Sequence, residues 1–260
     1  WGFDHSSETS RTSPGIDIQG SCSDVIVKSC IFNSTGAFYA ITTGLVSTGR
    51  NRRFVITGNI ILNSSVAIYG SRGVVIADNI FTSYGRNMAI MVGNHGDEAV
   101  KNLVIQSNVI TNFVGSAIWF YPYGVYSDIV ISSNTINASG DAAILVQNAV
   151  RVLISTNTIF DCKYGVRLEN VNASAIQSNI IEGTDKSYQY GISIAAPGQN
   201  VTGLIIEGNF LKTLLRGIVG PGTNWVVLSI IKNNIILNTV YDITGNFDSN
   251  SCVIADNITG

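Results

Sequence analysis

Charge is what this chain has least of. Asp, Glu, Lys and Arg make up 12% of its 260 residues, and 15 Lys and Arg against 17 Asp and Glu leave a net charge of −2. An ordinary soluble domain carries about 25% charged residues. So neutral a chain offers no counterion release to drive nucleic-acid binding and no polybasic attraction to a membrane surface. Histidine is almost missing, with only His5 and His95, and the four cysteines (Cys22, Cys30, Cys162, Cys252) show no CxxC spacing. A structural zinc site or a three-histidine catalytic zinc is thereby excluded, and no metal or cofactor is expected. Disulfides stay open. Long apolar runs are also missing: 45% of the chain is hydrophobic, but in short stretches such as Ala142 to Val146, far from the ~20 residues that span a bilayer. Membrane insertion is not expected, and neither is disorder in so apolar a chain.

What the chain has instead is asparagine, 26 residues, as many as glycine. Nine of them share one context, with an aliphatic residue three positions before and, except at Thr259, an apolar one two after: FVITGNII, VVIADNIF, LVIQSNVI, IVISSNTI, VLISTNTI, SAIQSNII, LIIEGNFL, SIIKNNII and CVIADNIT. The anchors are Asn59, Asn79, Asn108, Asn134, Asn157, Asn179, Asn209, Asn234 and Asn257, and DVIVKSCIF repeats the frame with Cys30 in the anchor position. Spacings run from 20 to 30 residues. Between anchors lies a second column, a small residue followed by an aliphatic: Gly15-Ile16, Ala40-Ile41, Ala67-Ile68, Ala89-Ile90, Ala117-Ile118, Ala143-Ile144, Gly165-Val166, Gly191-Ile192 and Gly217-Ile218, with Asp242-Ile243 as the departure.

Ile and Val at alternating positions, without a 3.6-residue stripe, indicate strands rather than helices. A period of this size indicates a solenoid, each repeat one coil whose short strands stack in parallel and in register on the next. The expected fold is all-β, a single-stranded parallel β-helix of about ten coils over residues 1–260, a rod of roughly 45 to 50 Å at about 4.8 Å per strand. Stacking also explains the asparagine. An inward amide at a corner can donate to the coil above and accept from the coil below, and Asn tolerates the left-handed backbone a sharp corner needs. These positions are read as a structural ladder. The Asn-x-Ser/Thr sequences at Asn33, Asn63, Asn137, Asn172, Asn200 and Asn257 are what such a composition produces by chance, and Asn257 belongs to the ladder. Open sheet ends require caps, and neither end offers an amphipathic helix or a charged cap. The expectation is a piece of a longer chain, a processed protein, or ends covered by partners.

The recurring small-Ile and (V/L/I)-x-I-x-x-Asn-x-(I/F) pattern resembles the right-handed parallel β-helix of the pectate-lyase-like superfamily over nearly the whole chain. The low charge and the Ser/Thr/Asn/Gly-rich loops resemble the central shaft of bacteriophage tailspikes. The resemblance implies a polysaccharide partner, an extracellular or virion-surface location and, for tailspikes, a homo-oligomer, typically a trimer. It implies an enzyme of the depolymerase type, a glycoside hydrolase or polysaccharide lyase, with a non-catalytic adhesin or shaft as the alternative. Neither the paired aspartates with Gly-His-Gly of polygalacturonases nor the stacked aspartates with Arg-x-Pro of pectate lyases occur; His95 sits in Gly93-Asn94-His95-Gly96-Asp97.

Because side chains alternate along a strand, residues two and four positions after the small residue should face outward. In the fourth to seventh repeats these are Met91, Trp119, Tyr121, Gln147, Arg167 and Glu169, flanked by an insertion carrying His95, Asp97 and Glu98 and by a loop carrying Tyr123. Sugars present apolar C–H faces to aromatics and hydroxyls to amides, Arg and carboxylates, so Trp119, Tyr121, Tyr123, Arg167, Gln147, Met91 and His95 are candidate substrate contacts. An oligomer interface, or packing under a loop, would use the same residues. Glycoside hydrolysis needs two carboxylates, and Glu169 with Asp97 or Glu98 is the pairing available on this face, across three coils or about 14 Å. A lyase would use Arg167 against a uronate carboxylate with Tyr121, Tyr123 or His95 as base.

Overall fold

The computed structural model describes residues 2–4, 15–18, 22–34, 39–43, 51–93, 100–196, 200–222 and 224–260. Every regular element among them is a β-strand, and every strand pairing is parallel. The strands following each anchor, such as Ile60–Leu62, Ile80–Thr82 and Thr158–Phe160, form one 11-stranded sheet. The strands carrying the small-aliphatic pair and those leading into each anchor form two further stacks. They merge into a 19-stranded sheet because Ala142–Ser155 runs unbroken through both.

Register follows the sequence columns. Ile56, Ile76, Ile105, Ile131 and Ile154 lie above one another three residues before their anchors. Phe81, Ile110, Ile136 and Ile159 do the same two residues after. These side chains point inward and are buried, each worth about 1.5–3 kcal/mol of burial. One pairing departs from expectation. Val66, not Ile68, stands beside Ile41 and Ile90, so the third small-aliphatic pair is Ser65-Val66 rather than Ala67-Ile68. A two-residue slip leaves every side chain on its face, and Val66 and Ile68 are both buried and apolar, so hydrophobic pattern alone does not separate the two registers.

The asparagine ladder runs through the corner between the strands that enter and leave each anchor. Each Nδ2 donates to the Oδ1 of the next coil's asparagine, as Asn79 to Asn108 (3.0 Å), Asn108 to Asn134 (3.0 Å) and Asn134 to Asn157 (2.9 Å). It also donates to a backbone carbonyl of the preceding coil, as Asn79 to Ile56 (2.9 Å). Each Oδ1 accepts in addition the backbone N–H of the preceding asparagine. The left-handed residue is not the asparagine itself but the one before it: Asp78, Ser107, Ser133, Thr156 and Ser178 all have φ between 54° and 56°. The turn made there leaves the asparagine backbone ordinary and aims its amide inward.

Four pairs of charges on stacked strands face their opposites, whereas Arg52, Arg72 and Lys101 follow one another in register. Asp24 with Arg53 (2.5 Å), Asp128 with Arg151 (2.6 Å), Glu182 with Lys212 (3.0 Å) and Glu207 with Lys232 (3.3 Å) each link adjacent coils. Like charges in those registers would repel.

Candidate functional site

The outward side chains of the small-aliphatic stack form a grid. Just after the inward aliphatic, Thr42, Ala67, Met91, Trp119, Leu145, Arg167, Ser193 and Val219 lie in one column. Two residues further on, Tyr69 stands beside Gly93, and Gln147 beside Glu169. Tyr69 therefore belongs to the outer column, a consequence of the corrected third register.

Four of the sequence candidates form one polar chain across three coils. Trp119 Nε1 donates to Gln147 Oε1 (3.3 Å), Gln147 Nε2 donates to Glu169 Oε2, and Arg167 Nη2 donates to Glu169 Oε1 (2.6 Å). The Glu169 side chain is 15% exposed and that of Arg167 32%, so this pair is held more firmly than a surface ion pair. Both carboxylate oxygens of Glu169 are occupied by protein donors. Glu169 as it stands positions Arg167 and Gln147.

Aromatics continue the site. The Trp119 and Tyr121 rings meet edge to face at 5.1 Å, and those of Tyr121 and Tyr123 at 5.3 Å. Tyr123 is 81% exposed, the most open of the three. The loop that carries them is pinned from beneath by the buried Tyr126, whose one hydroxyl proton is shared between the carbonyls of Tyr121 (2.8 Å) and Val92 (3.1 Å). Gly124 is required here, since a Cβ would lie 2.1 Å from the Tyr126 hydroxyl. Asn148 Nδ2 donates to the Pro122 carbonyl from the next coil.

Met91 is placed differently from expectation. It is 5% exposed, packed with Ala67 and Met88 under Tyr39, Tyr69 and Trp119. The Tyr39 and Tyr69 hydroxyls both reach its Sδ, at 3.6 and 3.9 Å. It is the floor of the aromatic cluster rather than a contact surface. Burial, the largest cause, pushes the Tyr39, Tyr69 and Tyr126 phenols above their ordinary range. Beside Arg167 and Glu169 the face opens into a hollow of about 460 Å³, lined further by Ser193, Ala195, Val219 and Pro221. His95, Asp97 and Glu98 lie outside the described residues. Among the described residues no three His, Cys, Asp or Glu side chains gather where a metal ion could be held.

One column escaped the sequence reading. The residue just before the small one also points outward, and in the last four coils it is Tyr164, Tyr190, Arg216 and Tyr241, in register. Tyr164 and Tyr190 stack at 5.0 Å. Arg216 lies over Tyr190 (5.9 Å) and Tyr241 (5.6 Å), and Arg167 over Tyr164 (5.1 Å). Reading that position as a third outward column would have found them.

The architecture can now be set against known proteins. Residues 64–224 match the family model described as "Right handed beta helix region". The chain belongs to the right-handed β-helix family. No curated protein sequence matches this β-helix. Among solved structures it is similar to the periplasmic alginate epimerase AlgG, with a TM-score of 0.57 and 11% identity over 95% of this chain and 79% of that one. The Streptococcus pneumoniae surface protein and adhesin PfbA gives 0.52 and 14% over 95% and 92%. Endopolygalacturonase I from Stereum purpureum, complexed with two galacturonate, gives 0.51 and 11% over 100% and 93%. At these identities the likeness is one of fold, and a fold hosts many chemistries. No helix among the described residues is long and apolar enough to cross a membrane.

Proposed function

We propose that this β-helix binds polysaccharide along the face built by Trp119, Tyr121, Tyr123, Gln147, Arg167 and Glu169, at an extracellular or virion surface. The observation that carries the reading is the continuity of the aromatic run with the Gln147, Glu169 and Arg167 chain on successive coils. The rings match the C–H faces of sugars, and the amide and charged groups match their hydroxyls. The hollow beside Arg167 falls within the roughly 300–1,000 Å³ of small-ligand pockets. The proteins of similar fold include an alginate epimerase, a surface adhesin and an endopolygalacturonase bound to galacturonate, which accords with a carbohydrate partner.

A tailspike-type depolymerase is the second reading, favoured by the insertion that follows Gly93. Asp97 and Glu98 come four and five residues after it, an extended reach of at most about 14 to 18 Å. The three coils to Glu169 are about 14 Å. Cleavage would require Arg167 or Gln147 to release Glu169 to the substrate. Outside the face, Ile31, Ile80, Ile180 and Ile258 are exposed apolar side chains in one column of the 11-stranded sheet, the surface that a homotrimer of this chain would cover; light scattering measures that state.

The deciding experiment is incubation with bacterial capsule, O-antigen and uronate polymers, followed by sizing of the products and ultraviolet absorbance. Binding without shortening supports the module and removes the enzyme. Shortening with new absorbance identifies a lyase, and without it a hydrolase. Trp119→Ala should weaken glycan binding about tenfold through loss of the stacking ring. Unchanged binding in Trp119→Ala and Arg167→Ala together would remove this face from consideration.

A further inference from the structure

A second cavity, of about 350 Å³, lies at the neighbouring corner of the coils, lined by Asn112, Phe113, Val114, Gly140, Asp161, Lys163 and Tyr188. Turns from four successive coils build it. Gln189 locks the upper one: its buried side chain accepts from the Thr184 and Asp185 N–H groups (both 2.7 Å) and donates to Asp161 Oδ1 (2.8 Å). Thr184 Oγ1 donates to the same oxygen at 2.5 Å. Asp161 Oδ1 is thus used twice, while Oδ2 takes no hydrogen bond among the described residues. Lys163 lines the same cavity without an ion pair among the described residues. Its ammonium lies 5.5 Å over the Tyr164 ring, which also carries Arg167, so the cavity adjoins the main face without being part of it.

We propose that this corner cavity is a separate pocket for a single sugar unit, a terminal or branch residue. Two opposite charges that line one cavity without pairing can be bridged by a ligand that donates to the carboxylate and accepts from the ammonium. Vicinal hydroxyls do both. The Tyr188 ring, 48% exposed, and Val114, 54% exposed, supply the apolar surface for a pyranose C–H face. The volume, near the lower end of the roughly 300–1,000 Å³ of ligand pockets, suits one ring rather than a chain. The Gln189 lock preorganises the loop, so little ordering opposes binding.

The test is titration of the intact protein by saturation-transfer NMR with glucose, galactose, mannose, rhamnose, N-acetylglucosamine and glucuronate, and with free glycine and lysine as zwitterionic controls. At least one sugar should bind with a dissociation constant of millimolar order. Tyr188→Ala, at an exposed side chain, and Asp161→Asn, which keeps an oxygen for Thr184 and Gln189, should each weaken it about tenfold, and should do so equally in a Trp119→Ala background in which the main face is already weakened. Circular dichroism of each variant establishes that it is folded. Three results overturn the pocket: no sugar binding at 50 mM (an upper limit of about 50-fold above millimolar affinity), binding indifferent to Tyr188→Ala and Asp161→Asn in folded protein, or binding of the amino acids alone. Loss of the sugar signal in Trp119→Ala would assign it to the main face instead.

Discussion

Replacing Asn134 by alanine tests the ladder at its middle. The side chain makes five hydrogen-bond contacts, its two Nδ2 protons being shared among three acceptors. Oδ1 accepts from the Asn108 backbone N–H (3.0 Å) and Nδ2 (3.0 Å), and Nδ2 donates to Ile105 O (3.0 Å), Ser132 O (3.1 Å) and Asn157 Oδ1 (2.9 Å). Not all are lost equally. Asn108 Nδ2 keeps the carbonyls of Ile76 and Gln106, and Asn157 Oδ1 keeps the Asn134 N–H. The Asn108 N–H, fully buried, is left without its acceptor, and the Ile105 carbonyl loses a donor. At about 1–3 kcal/mol per buried group left unpaired, the two groups give an expected loss of about 2–6 kcal/mol. Asn257, at the exposed end of the row, donates to Ile231 O (3.1 Å) and accepts from Asn234, and water can replace those partners. Asn257→Ala should therefore cost about 1 kcal/mol. Urea unfolding followed by circular dichroism measures both, with hydrogen exchange at Asn108 reporting local opening, since solenoids need not unfold as one unit. A loss below about 1 kcal/mol in Asn134→Ala, or equal losses at Asn134 and Asn257, would refute a ladder stabilised by burial of its amides.

Tyr126→Phe removes the hydroxyl that pins the aromatic loop; both carbonyls keep another donor, so stability should fall only about 1 kcal/mol while glycan binding falls further, compared by urea titration and calorimetry. Arg151 holds the Asp128 carboxyl down at about 2 from an ordinary 3.8; its depressed value means the stabilisation is present above pH 4 and is lost as pH falls through about 2. In Arg151→Gln, carbon-detected NMR should find the Asp128 titration moved up toward 3.8 but short of it, since the Ser127 hydrogen bond and Lys101 still lower it; no upward movement would remove the ion pair as cause. The Tyr39, Tyr69 and Tyr126 phenols, raised by burial, favour the folded state fully below the ordinary tyrosine value of about 10 and less as pH rises beyond it. Absorbance at about 295 nm should show these three ionising only with unfolding.

The site was legible where it obeyed alternation. Trp119, Gln147, Arg167 and Glu169 share a face because side chains on a strand alternate and coils stack in register, and both facts can be read from spacing. Two features were not. Met91 lies in the same column as Trp119, yet Tyr39 and Tyr69 from earlier coils cover it, and no period within one coil records such cross-coil covering. Tyr164, Tyr190, Arg216 and Tyr241 each open their strand, and in the first three strands the next two residues are both buried, so simple alternation does not say which way the opening side chain points.

Sequence alone determined the coil: asparagine, aliphatic and small residues recur at nearly constant offsets because every coil must satisfy the same corner and fill the same core. It also implied that the nine anchor asparagines are structural, which the continuous row from Asn59 to Asn257 shows directly. Only the tertiary structure decided the third register, because a shift of two residues preserves every inward and outward side chain and changes only which neighbours they meet. Only it joined Trp119 to Arg167 through Gln147 and Glu169, and set Asp161 and Lys163 around one cavity. Those contacts link residues some 20 to 30 apart in sequence, and their geometry is made by turns whose lengths differ from coil to coil.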